Sequence, residues 1–269
     1  KLVPKQAQTS KILYSIYCVL TLTEVVCLKL AGMPLYDSFI HAFSSAGTGG
    51  FSNRNASVGA YGSVAIDLII TVFILLFSLN FAVYFLLLTR KWREDLSSDE
   101  LRFFLLVVTG ATILIAIDIA PLYTSIWESL RYSVFQVASI ISTTGFATAD
   151  FVLWPHFSQT ILVLLMFCGA CAGSTGGGIK CSRVLILLRS IRREIHRVIH
   201  PRSVEVVKLD GKVVEEDTLR SISVFVGSYL FIILAATLII SLDDFPFSVS
   251  FSSALTCISN VGPGLELVG

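Results

Sequence analysis

Apolar runs of two lengths alternate along this chain, with polar loops between them. Residues 12–30, 64–89, 101–119, 157–189 and 222–242 each supply the ~20 apolar positions that cross a hydrocarbon core of about 30 Å. Residues 35–46, 125–141 and 246–258 are shorter. A helix over 35–46 rises only about 18 Å at about 1.5 Å per residue. It cannot reach the opposite face, so it is predicted to turn back as a re-entrant pore helix, opened by Pro34 near its first turn. The pattern predicts an all-α polytopic membrane protein of repeated helix, re-entrant pore helix, helix units, the third of them cut off at Gly269.

Each short run ends in a glycine-bearing loop: 47–52, 142–148 and 259–264. Placing Gly145 over Gly50 and Gly262 without gaps aligns Ser44 with Ser139 and Thr256, and Thr48 with Thr143 and Asn260. A repeat whose best-kept part is a polar loop points to one unit used several times around a common axis. A cation in hydrocarbon faces a penalty of tens of kcal/mol, so a pore must replace its water with oxygen dipoles, as rings of backbone carbonyls do. Glycine lets successive carbonyls face one way. Short helices ending at the loops aim their partly negative C-termini at the same place. The candidate cation-binding residues are Thr48, Gly49 and Gly50; Thr143, Thr144 and Gly145; and Asn260, Val261 and Gly262, with Thr48, Thr143 and Asn260 adding side-chain oxygens.

The second return run is interrupted. Gly173, Ser174, Thr175, Gly176, Gly177 and Gly178, followed by Ile179 and Lys180, stand where a straight helix would lie in the bilayer. Glycine costs about 1 kcal/mol per helical site, and irregular backbone at that depth is tolerated only against protein or a wet cavity. This segment is therefore expected to face the conduction path.

Composition and charge narrow the reading. Of 269 residues, 54% are hydrophobic and 14% charged, with a mean hydropathy of +0.79, too apolar for soluble domains. The net charge of +1 implies no nucleic-acid partner, and no cleavable signal peptide opens the chain. With the short helices turning back, 17 Lys and Arg fall on one side and Lys29, Arg54 and Arg131 on the other, which makes the larger group cytoplasmic and turns the loops outward. Asp118, Glu128, Asp150, Asp243 and Asp244 lend the outer mouth a cation-concentrating bias. The six cysteines read as small buried hydrophobes; Cys168 and Cys171 have ligand spacing but no second pair. His156, His196 and His200 form no metal cluster, His41 and Gln136 read as structural hydrogen-bonding groups, and Asp37 as a partner of its helix dipole. Glu24 is left open. Segment 173–180 misses the phosphate-binding pattern, because Ile179 separates Gly178 from Lys180 and Cys181 replaces Ser or Thr. No nucleophile, base and orienting residue converge, so no enzyme is expected. The rival reading is a secondary transporter holding a solute at a broken helix near the midplane, although the repeats here all run in one direction. Residues 204–215 alternate around Asp210-Gly211, the signal of a two-residue hairpin turn.

Together Thr48-Gly-Gly-Phe-Ser52, Ser142-Thr-Thr-Gly-Phe-Ala-Thr148, Gly173-Ser-Thr-Gly-Gly-Gly-Ile-Lys180 and Ser259-Asn-Val-Gly-Pro-Gly264 resemble, in order and along the whole chain, the Trk-type K⁺ uptake subunit of the Trk/Ktr/HKT superfamily. The resemblance implies four units around a pseudo-fourfold pore with filter glycines at Gly50, Gly145 and Gly262. It implies an intramembrane gating loop at the glycine-rich break, Gly173 to Lys180. The units would be 1–98 (second of four), 99–202, a cytoplasmic linker hairpin at 203–217, and an incomplete last unit at 218–269. A chain opening on Lys1 and stopping just after a filter loop is then expected to lack a first unit and a last return helix. The resemblance also implies a multi-pass protein of a bacterial cytoplasmic membrane, K⁺ as transported ion with no other cofactor, a homodimer, and a cytoplasmic nucleotide-binding regulatory ring that meets the linker between Arg189 and Asp217. Deleting residues 204–215 is expected to abolish capture of that ring in a pull-down; undiminished capture would remove the linker from the contact.

Overall fold

The computed structural model describes residues 3–88, 98–201 and 205–268. The basic residues Lys1, Arg90, Lys91, Arg93 and Arg202 lie outside them. Helix α1 (Val3–Leu30) begins earlier than the apolar run because Pro4 is tolerated in a first turn, and it ends at Gly32, where φ is 96°. Pro34 then opens α2 (Leu35–Ala46). The return is α3 (Val64–Ser78) and α4 (Phe81–Leu88), not the single span expected over 64–89. In the second unit come α5 (Asp99–Ile119), α6 (Ile126–Ile141), α7 (His156–Phe167) and α8 (Cys181–Ile199). Ser125 caps α6 by accepting from the Trp127 N–H at 3.3 Å. The third unit holds α9 (Glu216–Ile240) and α10 (Phe247–Ser259), the latter opened by Pro246. Among the described residues three helices are long and apolar enough to cross a membrane, within Lys11–Leu30, Asp99–Leu122 and Glu216–Asp243.

Each of these long helices packs most extensively on the short helix that follows it: α1 on α2, α5 on α6, α9 on α10. Beside apolar side chains the short helices bury many serines. Ser38, Ser45, Ser129, Ser133, Ser139, Ser250, Ser252 and Ser259 are all buried, while Tyr14, Leu30, Leu106, Phe231 and Leu238 are exposed on the long helices. That inversion suits a chain whose outer solvent is apolar, where serine permits close helix approach. Cys18 and Cys257 lie on this outer surface, against the expectation of burial, and Cys171 and Cys181 are interior. One core joins the first two units through Ile66, Ile70, Ile74, Phe135 and Phe146. A larger one joins the second and third through Ile115, Ile140, Leu162, Ile233 and Leu255.

The first return helix opens because its carbonyls are claimed from outside. Phe77 O accepts from Thr175 Oγ1 at 3.3 Å and Ser78 O accepts from the Cys171 N–H at 3.0 Å. Asn80 Oδ1 accepts from the Ala82 N–H at 2.9 Å, restarting the helix as α4. Helix α8 also departs from expectation, running ten residues past Arg189 to Ile199. Its basic face turns to the hairpin of β1 (Lys208–Leu209) and β2 (Lys212–Val213), joined by Asp210 and Gly211 at φ 51° and 75°. Asp210 Oδ1 accepts from the Asp99 N–H at 2.6 Å, Asp99 Oδ2 accepts from the Asp210 N–H at 3.0 Å, and Arg189 donates to Asp99 Oδ2 at 2.7 Å. The hairpin is thereby fixed to the start of α5.

The next residue, buried Glu100, ties α5 to the broken helix. Its Oε1 accepts from the Ala172 N–H at 2.7 Å and from the Ser182 N–H at 3.0 Å, one amide inside the break and one at the start of α8. Glu100→Ala is expected to lower stability by about 3 kcal/mol, since both charge-assisted bonds go and two amides lose their acceptor. Glu100→Gln, which keeps an acceptor, is expected to lose less. Thermal unfolding of the purified protein checks both, and an unchanged Glu100→Ala midpoint would refute the tie.

Candidate functional site

The three loops share one backbone. The N–H groups of Thr48, Thr143 and Asn260 donate to Ser45 O, Ile140 O and Cys257 O at 3.2, 3.0 and 3.2 Å. Those of Gly49, Thr144 and Val261 donate to Ser44 O, Ser139 O and Thr256 O at 2.8, 3.0 and 2.9 Å. This paired closure is the Schellman end of a helix, which needs a left-handed residue just past the cap. The residues filling that place are Thr48, Thr143 and Asn260, at φ 49°, 59° and 59°. Asparagine is at ease there, whereas a β-branched threonine costs about 1–3 kcal/mol and persists only where the surroundings hold it. Two positions on, Gly50, Gly145 and Gly262 are again left-handed at φ 66°, 82° and 105°, and the residue between is not. The alternation frees the carbonyls after each cap from helix and sheet alike.

The loops also abut in a fixed order. A Cβ on Gly50 would stand 2.0 Å from Thr144 O, and one on Gly145 would stand 2.0 Å from Val261 O, so each glycine meets the equivalent carbonyl of the next unit. Beside Gly262 the space is open. Hydroxyls brace the loops from behind. Ser139 Oγ donates to Phe146 O at 2.6 Å and Thr256 Oγ1 to Pro263 O at 3.0 Å. Ser44, in the same place, has no such partner.

The first loop is braced differently, by Asp37. Its carboxylate accepts from Asn53 Nδ2 and the Tyr61 hydroxyl, both at 2.6 Å, and from Arg54 at 3.2 Å. It is thus an anchor for residues 53–61 more than a partner of the α2 dipole. The Tyr61 hydroxyl, with Asn53 and Arg54, holds the Asp37 carboxyl below its usual range. The bracing is therefore in place above the ordinary carboxylate range and is lost as pH falls through the lowered value. His41 bridges Asp37 O at 2.8 Å and Ser52 Oγ at 3.0 Å, and stacks on Phe146 of the second loop with ring centres 5.6 Å apart. Gln136, its counterpart in α6, donates to Ala149 O at 3.2 Å.

Residues 168–180 run against the C-terminal ends of all three short helices. The Gly177 N–H donates to Thr143 Oγ1 at 2.6 Å, and Thr48 Oγ1 shares its hydrogen between Gly47 O at 2.8 Å and Thr175 O at 3.3 Å. Added Cβ atoms on Gly176 and Gly177 would stand 2.8 Å from Ser142 O and 2.9 Å from Ser259 O. The Lys180 ammonium folds back onto Gly176 O. Gly173 and Ser174 lie at the other edge, where Gly173 O accepts from the Phe81 N–H at 3.2 Å and Ser174 Oγ donates to Cys171 O at 2.6 Å. The threonine hydroxyls expected among the cation-facing oxygens are thus bonded to this segment, and the Asn260 side chain is exposed. The sequence reading missed Asn80 and Glu100, which hold the segment in place. The signal for the first was a lone Asn inside an apolar run. Glu100 gave none, lying one residue outside the expected span. Among the described residues no three His, Cys, Asp or Glu side chains gather as a metal site.

This architecture defines a polytopic membrane protein of repeated long-helix and short-helix units, whose loop backbones gather beside a broken helix. The TrkH family, described as cation transport protein, matches residues 1–266, and the chain belongs to that family. It is 35% identical over 266 residues to the Trk system potassium uptake protein TrkG of Escherichia coli K12, covering 98% of this chain and 55% of that protein. It is also 35% identical over 278 residues to the Trk system potassium uptake protein TrkH of Salmonella typhimurium, covering 100% of this chain and 56% of that protein. The crystal structure of the potassium transporter TrkH from Vibrio parahaemolyticus superposes with a TM-score of 0.92 at 33% identity, covering 99% of this chain and 58% of that one. The chain therefore spans a little over half the length of the relatives it matches.

Thr143→Val keeps the side-chain shape and removes the acceptor of the Gly177 amide. Amide exchange across residues 173–178 is expected to quicken about tenfold, which is loss of about 1.4 kcal/mol, within the usual cost of an unpaired amide. Unchanged exchange would mean that the loop and the glycine segment are not joined at this bond.

Proposed function

We propose that the full-length protein takes up K⁺ across the cytoplasmic membrane through a filter of backbone carbonyls at Thr48–Gly50, Thr143–Gly145 and Asn260–Gly262. The observation that carries this reading is the threefold recurrence of one backbone, cap and glycine included, with Gly50 and Gly145 each against the next unit's carbonyl. Repetition of a strained, carbonyl-presenting turn around one place suits a monovalent cation, whose lost hydration many weak dipoles can replace. The names of the relatives, potassium uptake proteins, support the choice of ion. On this reading α2, α6 and α10 are re-entrant pore helices, the units stand around a pseudo-fourfold axis, and the loops open to the outside, as the 17 to 3 division of basic residues favours.

Segment 173–180 is then the gate below the filter, bonded upward to Thr48 and Thr143. A solute site at the broken helix is the weaker reading, because several of the polar groups of that segment are engaged by the loops and by α3, and the amides of Ala172 and Ser182 flanking it by Glu100. The homodimer and the cytoplasmic nucleotide-binding ring belong to the same proposal. The hairpin, fixed to α5 through Asp99 and Asp210, offers the ring a rigid contact continuous with the broken helix.

Gly145→Ser asks a serine to adopt φ 82° and to place its Cβ 2.0 Å from Val261 O. The backbone strain alone costs about 1–3 kcal/mol, and the clash must displace the neighbouring carbonyl. The full-length wild type is expected to restore growth of K⁺-uptake-deficient cells at low K⁺, and Gly145→Ser, at equal membrane abundance, to fail. Equal rescue by the two would dismiss the filter.

A further inference from the structure

The cysteine pair that the fold assembles differs from the one that spacing suggests. Cys168 and Cys171 are neighbours in sequence, yet it is the Cys168 and Cys181 sulfurs that meet, 3.6 Å apart. Cys168 ends α7 and Cys181 opens α8, so the pair brackets the whole excursion between the two helices. Backbone bonds hold its ends together. Cys168 and Ile179 form a parallel bridge, the Gly169 N–H donates to Ile179 O at 2.7 Å, and the Cys181 N–H donates to Ala170 O at 3.2 Å. The Cys181 thiol donates in turn to Gly169 O at 3.0 Å.

A disulfide needs its sulfurs about 2.05 Å apart, so the pair must close by only about 1.5 Å to become one. Cys168 is half-buried and Cys181 buried. A small oxidant therefore meets the first, and the second stands ready to resolve it. The compartment fits as well. Ser182, the residue after Cys181, gives its amide to Glu100 at the start of α5, which is the cytoplasmic end in the orientation proposed above. Disulfides formed on that side of a membrane are transient sensors more often than permanent struts.

Movement at the base of the excursion reaches its middle. Gly169 lies so close to Gly177 O that a Cβ would have no room there, and the Gly177 N–H donates to Thr143 Oγ1 at 2.6 Å. Drawing Cys168 toward Cys181 thus presses Gly169 on Gly177 and disturbs the bond to the second loop.

We propose that Cys168 and Cys181 form a reversible oxidation site: hydrogen peroxide links them as a disulfide, and the link slows K⁺ uptake by displacing the glycine segment. The step balances. Peroxide oxidises the Cys168 thiol to a sulfenic acid and leaves as one water; the Cys181 sulfur then attacks that sulfur, and the oxygen departs as a second water. A dithiol reductant reverses the link by exchange. The effect on uptake rests on the reading of residues 173–180 as the gate, and the test reads the bond and the transport separately.

Full-length protein in proteoliposomes is treated with hydrogen peroxide, its remaining thiols are alkylated, and it is digested with trypsin. Cleavage after Lys180 and Arg183 places Cys181 in the peptide 181–183, away from Cys168 and Cys171. Mass spectrometry is expected to find that peptide joined through Cys168, and dithiothreitol to free it. Uptake of K⁺ is expected to fall at least about fivefold on oxidation, an effect in the range of allosteric couplings, and to recover on reduction. Cys168→Ser and Cys181→Ser, each compared with itself before and after peroxide, are expected to show no fall, and Cys171→Ser to respond as wild type does. Absence of the joined peptide, or Cys168 bonded to Cys171 instead, would overturn the site. The joined peptide with undiminished uptake would overturn its effect on the glycine segment. Absence of uptake by reduced wild type would remove the filter reading and the effect on transport with it, while the joined peptide would still establish the pair.

Discussion

The constraint on which this structure turns is the need to stop a helix in the interior without leaving its amides bare. Where water is scarce an unpaired backbone group costs several kcal/mol, and a carbonyl can be offered to a passing ion only if the N–H groups beside it are already satisfied. The Schellman closure meets both conditions. It returns the amides of Thr48 and Gly49, Thr143 and Thr144, Asn260 and Val261 to the last helical turn. Left-handed residues at the cap and at the following glycine then send the next carbonyls outward. Close contact between neighbouring loops explains why the second left-handed place is glycine at Gly50 and Gly145, since Thr144 O and Val261 O occupy the space a side chain would need. At the first left-handed place the Thr143 hydroxyl is held by the Gly177 amide, and the Thr48 hydroxyl by Gly47 O with a longer contact to Thr175 O.

From that follows the form of the broken helices. Two helices stop beside one another, α3 after Ser78 and α7 after Phe167, and the breaks satisfy one another. The Thr175 hydroxyl and the Cys171 amide bond the freed carbonyls of Phe77 and Ser78, and the Phe81 amide bonds Gly173 O. A parallel bridge between Cys168 and Ile179, with the Gly169 N–H on Ile179 O at 2.7 Å, closes the base of the excursion. Glu100 holds an amide at each side of it. The excursion is thus irregular in conformation but well supplied with partners, as backbone in an apolar medium has to be.

How much of this was legible in the sequence depends on the range over which each feature is decided. Helix α2 was bounded from Pro34 and the end of its apolar run, and α6 and α10 to within a residue or two, because their starts are set by local chemistry at Ser125 and Pro246. The correspondence of Thr48, Thr143 and Asn260 was visible as aligned letters, and the structure gives it physical content as one dihedral angle repeated. The break in the first return run was not legible. Residues 64–89 are almost uniformly apolar, and what opens them is a demand for carbonyls made by residues 171–175, about a hundred positions away. Asp37 was read only in part for a similar reason. At a helix start a carboxylate reads as a dipole partner, and only the fold brings Asn53, Arg54 and Tyr61 to it.

The same distribution of bonds bears on what the glycine segment can do. Its ends are fixed by several contacts: to Glu100, to the open turn of α3, and through the Cys181 thiol to Gly169 O at 3.0 Å. Its middle, from Thr175 to Gly178, meets the loops through the two threonine hydroxyls and through bare glycine backbone. A displacement confined to that middle would exchange few hydrogen bonds, and glycine has broad conformational freedom to follow it. A segment anchored at both ends and lightly tied between them, set against the C-terminal ends of three helices, is therefore suited to move without unfolding its neighbours. Hydroxyls that hold Thr48 and Thr143 in a strained conformation would be released by the same movement, so the shape of the loops and the position of the segment are not independent variables.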